Sequence, residues 1–230
     1  MKIEIRKWTN NEIILSGEYE SIKDCLERNR SANLRSTDLR YADLRYANLS
    51  YADLRYADLS SADLRYADLR SANLSSANLR YADLRYANLS YADLRYADLR
   101  SANLSSANLS YANLHHADLS STDLRSADLS YADLRSANLS SANLRSANLS
   151  YAKYLDFKIK KTPIQLINLK YDILIFANHI KIGCELHKTK EWESFTNKQI
   201  IKMDGKEALL FWERYKTILL ELSIQHRLSK

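Results

Sequence analysis

Tyr41-Ala42-Asp43-Leu44-Arg45 is followed directly by Tyr46-Ala47-Asn48-Leu49-Ser50 and Tyr51-Ala52-Asp53-Leu54-Arg55. The same unit, Ala-(Asp/Asn)-Leu-(Arg/Ser)-(Tyr/Ser), runs from Ser31 to Ser150 without insertion or deletion. Leu holds the centre of all 24 units, from Leu34 to Leu149, and Ala stands two residues earlier except where Thr37 and Thr122 replace it. A period of five matches neither the 3.6 of a helix nor the 2 of a plain strand, but Ala and Leu, two apart, share one face of an extended segment. The chain must turn after each Leu before the next Ala can face the same interior. Four such sides close a turn of 20 residues, and stacked turns can pair as short parallel strands about 4.8 Å apart. The 120 residues then give six coils, a rod of roughly 29 Å at that spacing. Its predicted core is the Leu column, among them Leu34, Leu44, Leu54, Leu64, Leu84, Leu94, Leu124 and Leu149, which leaves no polar site inside.

The unit resembles the repeat of the pentapeptide repeat family over about half the chain. That resemblance implies a right-handed quadrilateral β-helix with the central Leu and the residue two before it pointing inward; periodicity alone gives only a closed parallel solenoid. The expected fold class is mainly β: a right-handed quadrilateral parallel β-helix solenoid of about six coils with small α+β caps at both ends. None of the three glycines lies in the repeat. A type II turn favours Gly or Asn at its positive-φ position, and the repeat offers Arg, Ser and Tyr there, so corners without positive φ are expected.

The flanks read as caps, with segments at 1–30, 31–155 and 156–230. Ile3, Ile5, Ile13 and Leu15 alternate around Asn10-Asn11, the pattern of a β-hairpin. Ser21 is placed to cap a helix over Ile22 to Asn29, with Cys25 on its packed face. Hairpin and helix together suit the open first rung of a solenoid. Beyond the repeat, strands are expected at Ile164 to Leu169, Tyr171 to Phe176 and Ile180 to Leu186, the last interrupted by Gly183-Cys184. Thr196 with Gln199 and Asp204 with Glu207 have capping-box spacing, predicting helices over Lys198 to Met203 and Lys206 to Arg227. The second carries Leu209, Trp212, Tyr215, Leu219 and Leu222 as an apolar stripe placed to cover the last coil and the small sheet. Cys184 is expected to be a buried structural thiol. Ile182-Gly183-Cys184, Trp192, Met203-Asp204 and Phe211-Trp212 also resemble C-terminal tails of bacterial and phage pentapeptide repeat proteins, a resemblance that implies no activity.

Charge narrows the function. The net charge is +6, yet the repeat holds 13 Arg and 13 Asp, and the whole excess falls in residues 151–230, where a solvated surface is the expected reading. Asp before Leu is followed by Arg after it ten times, so charge is matched locally. Cys25 and Cys184 lack metal-ligand spacing, and no apolar leader or membrane span is visible, which predicts a reduced, cytoplasmic protein without a membrane partner. No glycine-rich phosphate loop, carboxylate cluster or metal motif stands out, so no enzyme, cofactor or metal is expected; His115 and His116 lack a third ligand.

The candidate interaction surface is therefore outside the rod. At a 20-residue period Tyr91, Tyr111, Tyr131 and Tyr151 fall in one column and Tyr46, Tyr66 and Tyr86 in another, beside Arg45, Arg65 and Arg85. Tyr and Arg are enriched at protein interfaces, aromatic and basic surface also binds single-stranded nucleic acid, and Tyr can equally just cover corners. The expected function is a non-enzymatic scaffold presenting solenoid faces to an unidentified protein partner, as a monomer or as a homodimer through an end cap. Family resemblance implies an alternative, a DNA mimic that inhibits or protects DNA gyrase. The balance of 13 Asp with 13 Arg opposes it and opposes nucleic-acid binding through Arg and Tyr as well, because phosphate affinity scales with uncompensated positive contacts.

Overall fold

The computed structural model describes residues 1–155, 157–166 and 169–228. They fall into two compact units, Met1–Lys158 and Ile159–Lys230. The segment boundary expected at residue 156 lies outside the described residues.

In the first unit, β1 (Lys2–Arg6) and β2 (Ile13–Glu18) form an antiparallel hairpin. Asn11 supplies the positive φ of its turn. α1 (Ile22–Arg28) starts where Ser21 Oγ accepts the Asp24 amide, and Cys25 and Leu26 are fully buried beneath it. This cap completes the first rung by hydrogen bonding. Lys7 bridges Thr37, the Asp38 amide donates to the Arg6 carbonyl, and Glu27 Oε1 accepts the Asn48 amide at 2.7 Å. Those donors would otherwise form an open sheet edge.

The repeat that follows is a mainly β repeat fold. Its Asp or Asn residues form parallel bridges between positions 20 apart, from Asn33 with Asp53 to Asp133 with Lys153. Every Leu of the column is 0–5 % exposed. Thr37 and Thr122, in Ala slots, are buried with their hydroxyls bonded to the Leu34 and Leu119 carbonyls, so neither leaves a polar atom orphaned.

Leu44 to Ala47, with Asp63 of the next rung, show how the five kinds of amide in the repeat are satisfied. The Ala47 amide closes a turn onto the Leu44 carbonyl at 3.0 Å. Leu44 and Tyr46 donate to the Asp63 and Arg65 carbonyls of the next rung, and the Asp63 amide returns a bond to the Ala42 carbonyl. The remaining donor, Arg45 N–H, is taken by the Asp43 side chain, Oδ1 accepting at 3.3 Å. This side-chain bond recurs in all 24 units at 2.9–3.4 Å, with Asp and Asn alike. It is an Asx turn, and it explains why only Asp or Asn precedes Leu: both carry the oxygen that a short side chain can bring to the amide two residues on.

The expectation of corners without positive φ is wrong. The corner residue before each Ala, or before Thr37 and Thr122, has φ between 54° and 63° at all 24 corners from Ser36 to Tyr151. With its 1→4 hydrogen bond and a positive φ confined to the third residue, each corner has the type II pattern. Tyr and Ser tolerate the left-handed region here because inter-rung bonds hold the backbone on both sides, offsetting roughly 1–2 kcal/mol per residue.

Near the end of this unit, Tyr154 occupies the Leu slot, buried, in the short pair β3 (Lys153–Tyr154) and β4 (Phe157–Lys158).

The second unit contains β5 (Ile164–Leu166), β6 (Ile173–Ile175), β7 (His179–Ile182) and β8 (Glu185–Lys188), an antiparallel sheet in that order. The expected strand Ile164 to Leu169 runs over Ile167 and Asn168, which lie outside the described residues. The strand expected over Ile180 to Leu186 is instead two strands of a hairpin, since Gly183 has φ +58° and turns the chain. Cys184 sits on that turn and is exposed, correcting the expected buried thiol. Two helices follow, α2 (Thr189–Ser194) and α3 (Asn197–Leu228), the latter kinked at Asp204 and Gly205. The Thr196–Gln199 capping box forms. Its expected counterpart at Asp204–Glu207 does not: Asp204 accepts the Tyr171 hydroxyl at 2.8 Å and Glu207 takes Lys170 at 2.7 Å. Trp192, Phe211, Trp212 and Leu219 join Ile173, Ile175 and Ile180 in one core.

Candidate interaction surface

With Leu and Ala inside and the Asp or Asn oxygen committed to the backbone, the surface chemistry varies at the residue after Leu, at the corner and in the choice between Asp and Asn. The rows linked by the bridges differ. The row from Asn33 to Arg135 carries three Asp and four Arg, the row from Asp38 to Ser140 four Asp and three Arg, and the row from Asp43 to Arg145 four Asp and five Arg. The row from Asn48 to Ser150 carries two Asp and one Arg; the rest is Asn and Ser. Each row is thus within one charge of neutral, and one of them is nearly uncharged.

Local pairing removes most of what charge there is. Ten Arg side chains fork onto the Asp two residues earlier, as Arg65 does with Nε on Oδ1 at 2.8 Å and Nη2 on Oδ2 at 2.6 Å. Three Asp that lack such an Arg, Asp58, Asp118 and Asp128, each accept from an Asn amide 20 residues on at 3.1 Å. The fork to Arg45 holds the Asp43 carboxyl down at about 2, and the fork to Arg65 likewise lowers Asp63. The candidates Arg45, Arg65 and Arg85 are all forked, and Arg45 and Arg65 also lie 3.7 and 3.6 Å from Asp63 and Asp83 of the next rung. Their guanidinium charge is committed to the protein itself.

The tyrosine candidates form two ladders. Tyr46, Tyr66 and Tyr86 stack at 5.0 and 4.9 Å with interplanar angles of 5°. Tyr91, Tyr111, Tyr131 and Tyr151 stack at 4.9, 4.8 and 4.9 Å. All seven are about half exposed. The two ladders lie on the two corners that flank the nearly uncharged row, since Tyr46 precedes Ala47-Asn48-Leu49-Ser50 and Tyr51 follows it. Beyond Tyr86 the first column changes to Ser106, Ser126 and Ser146, and a polar groove of about 320 Å³ opens there beside Arg125 and Arg145. His116 stacks on Tyr96 at 5.0 Å. Among the described residues no group of three side chains is arranged to hold a metal ion, and no helix is long and apolar enough to cross a membrane.

Sequence reasoning missed two features of this surface. The signal for the Asx bond was present, Asp or Asn in all 24 units, but was read as charge matching. The signal for the uncharged row required sorting the sequence by its 20-residue period rather than by composition.

The pentapeptide repeats family model matches in eight copies over residues 30–65, 52–90, 87–125 and 122–153, together 124 of the 230 residues. The chain belongs to the pentapeptide repeat family. None of the curated proteins matches the sequence. Among solved structures, a pentapeptide repeat protein of the Arabidopsis thaliana thylakoid lumen is 36% identical over 42% of this chain and 68% of its own, with a TM-score of 0.41. One from Nostoc is 50% identical over 38% of this chain and 69% of its own, with a TM-score of 0.36. QnrB1, a plasmid-mediated fluoroquinolone resistance protein, is 26% identical over 50% of this chain and 66% of its own, with a TM-score of 0.34.

Proposed function

We propose that this pentapeptide repeat protein is a non-enzymatic scaffold. Its repeat is a right-handed, four-sided parallel β-helix of about six coils, and it engages a protein partner through the Asn48 to Ser150 row and the tyrosine ladders beside it. The observation that carries this reading is the coincidence of the least charged row with both ladders. Interface centres are depleted in charge and enriched in Tyr, and a rigid ladder presents aromatic area without losing rotamer entropy on binding. Row-by-row neutrality weighs against a DNA mimic, which needs a continuous anionic surface, and the ten forked Arg weigh against phosphate binding.

The test uses changes that the repeat already tolerates. Ser stands at 11 of the 24 positive-φ corners and Tyr at 12. Replacing Tyr91, Tyr111 and Tyr131 together by Ser is therefore expected to leave the folded state intact by circular dichroism while abolishing capture of a partner on the immobilised wild-type protein. Undiminished capture contradicts the assignment of this row. Inhibition of DNA gyrase supercoiling by the wild type would favour the DNA-mimic reading instead.

A further inference from the structure

A second feature lies wholly within the unit Ile159–Lys230 and is independent of the scaffold reading. A cavity of about 310 Å³ opens there, in the size range of small-molecule sites. Its floor is aromatic: Trp192, Phe211 and Trp212 are buried, and Tyr171 packs edge-on to Phe211 at 4.9 Å. The lining comes from both sides of the kink in α3, with Ile200 and Met203 before it and Ala208 after it. Gly205 at the kink has φ +67° and ψ −161°, a conformation essentially restricted to glycine, so the break is fixed by sequence.

Two charged side chains line this cavity, Asp204 and Glu185, and both are acidic. Asp204 Oδ2 accepts the Tyr171 hydroxyl at 2.8 Å, and Glu185 Oε2 lies 3.0 Å from His187 Nε2, so each carboxylate is oriented by one of its oxygens. Burial and the Asp204 carboxylate push the Tyr171 hydroxyl up to about 12, keeping it a neutral donor. The lysines near these rings lie outside the lining: Lys170 and Lys216 sit 5.7 Å over Tyr171 and Trp212, and Lys181 donates to the Gly183 carbonyl.

An aromatic lining and carboxylates without a lining cation supply the chemistry that recognises an organic cation, ring quadrupoles and an anionic rim acting on one positive centre. We propose that this cavity is a binding site for a small organic cation of the alkyl- or arylammonium class, with Asp204 and Glu185 at its rim and Trp192, Phe211 and Trp212 beneath.

Trimethylphenylammonium and its neutral isostere tert-butylbenzene separate charge from shape, and tryptophan emission reads binding to the full chain. The cation is expected to bind saturably and at least about tenfold more tightly than the isostere, a ratio in keeping with a desolvated cation–aromatic contact. Asp204→Asn and Glu185→Gln, both isosteric at the rim, should each weaken the cation severalfold without weakening the isostere. The bound cation should also slow alkylation of exposed Cys184 by iodoacetamide, since that thiol lines the cavity. Equal or tighter binding of tert-butylbenzene, no binding of the cation, or binding that leaves Cys184 alkylation unchanged would each overturn the proposal.

Discussion

The repeat tract and the C-terminal unit solve one problem in opposite ways. Both must bury apolar side chains while keeping every backbone donor and acceptor paired. The tract does so with one local device used 24 times, the Asx bond plus a type II corner, so its core is uniform and its chemistry is displaced to the outside. The C-terminal unit uses individual contacts: Trp192 Nε1 on the Ile180 carbonyl at 2.8 Å, Thr189 with Ser223 at 2.8 Å, Asp204 with Tyr171. Repetition leaves no enclosed site, whereas irregular packing leaves a cavity. Chemical variety in the tract therefore lies in surface columns, and in the tail in single residues.

The largest expected effects come from the two cores. Trp212→Ala should cost about 4 kcal/mol and Leu94→Ala about 3 kcal/mol, measured by denaturant titration. The comparison breaks if either buried residue can be truncated without loss.

Backbone conformation sharpens it further. Gly205→Ala meets no steric neighbour, yet should cost about 1–3 kcal/mol because of its dihedral angles alone. Tyr86→Gly in the tract relaxes the corner by up to about 1 kcal/mol and loses a stacked ring of similar worth, leaving the melting temperature nearly unchanged.

Acid separates the units by a smaller margin. Burial, and secondarily Lys161, holds the His226 imidazole below its ordinary 6.5. The neutral form is thus favoured by folding, and that stabilisation is complete above 6.5 and lost as pH falls through the depressed value. In the tract, Asp43 is lowered from 3.8 to about 2, so its contribution persists down to about 4 and disappears toward 2. An acid titration of a Trp8→Phe variant, whose two remaining tryptophans lie in the tail, followed by tryptophan emission for the tail and by circular dichroism for the tract, should show the tail loosening first. Simultaneous loss would contradict this ordering.

Much of this was readable from residues, and what was not has physical causes. Period five, the Leu34 to Leu149 core, the hairpin around Asn11, the helix after Ser21 and the Thr196 cap all follow from local patterns that tertiary context reinforces. The positive-φ corners were not legible because turn statistics treat Tyr as an unlikely left-handed residue, whereas here inter-rung bonds over-determine the backbone. The Asp204 cap failed because Tyr171, remote in sequence, competes for the same carboxylate. Cys184 was misplaced because burial averages for thiols say nothing of a residue beside a positive-φ glycine. The candidate tyrosines were legible as columns, since stacking follows once the period is known, but the uncharged row between them is a property of the sorted sequence.

In the repeat the Asp/Asn oxygen serves the backbone rather than the charge balance. Asp83 makes both interactions, accepting the Arg85 amide at 3.2 Å and forking its guanidinium. Thermal melts of Asp83→Asn and Asp83→Ala separate the two. Loss of the exposed ion pair should cost less than about 0.5 kcal/mol in Asp83→Asn, and loss of the backbone bond should bring Asp83→Ala to about 1–2 kcal/mol. Equal destabilisation by both would mean that charge, and not the side-chain oxygen, is what the repeat requires.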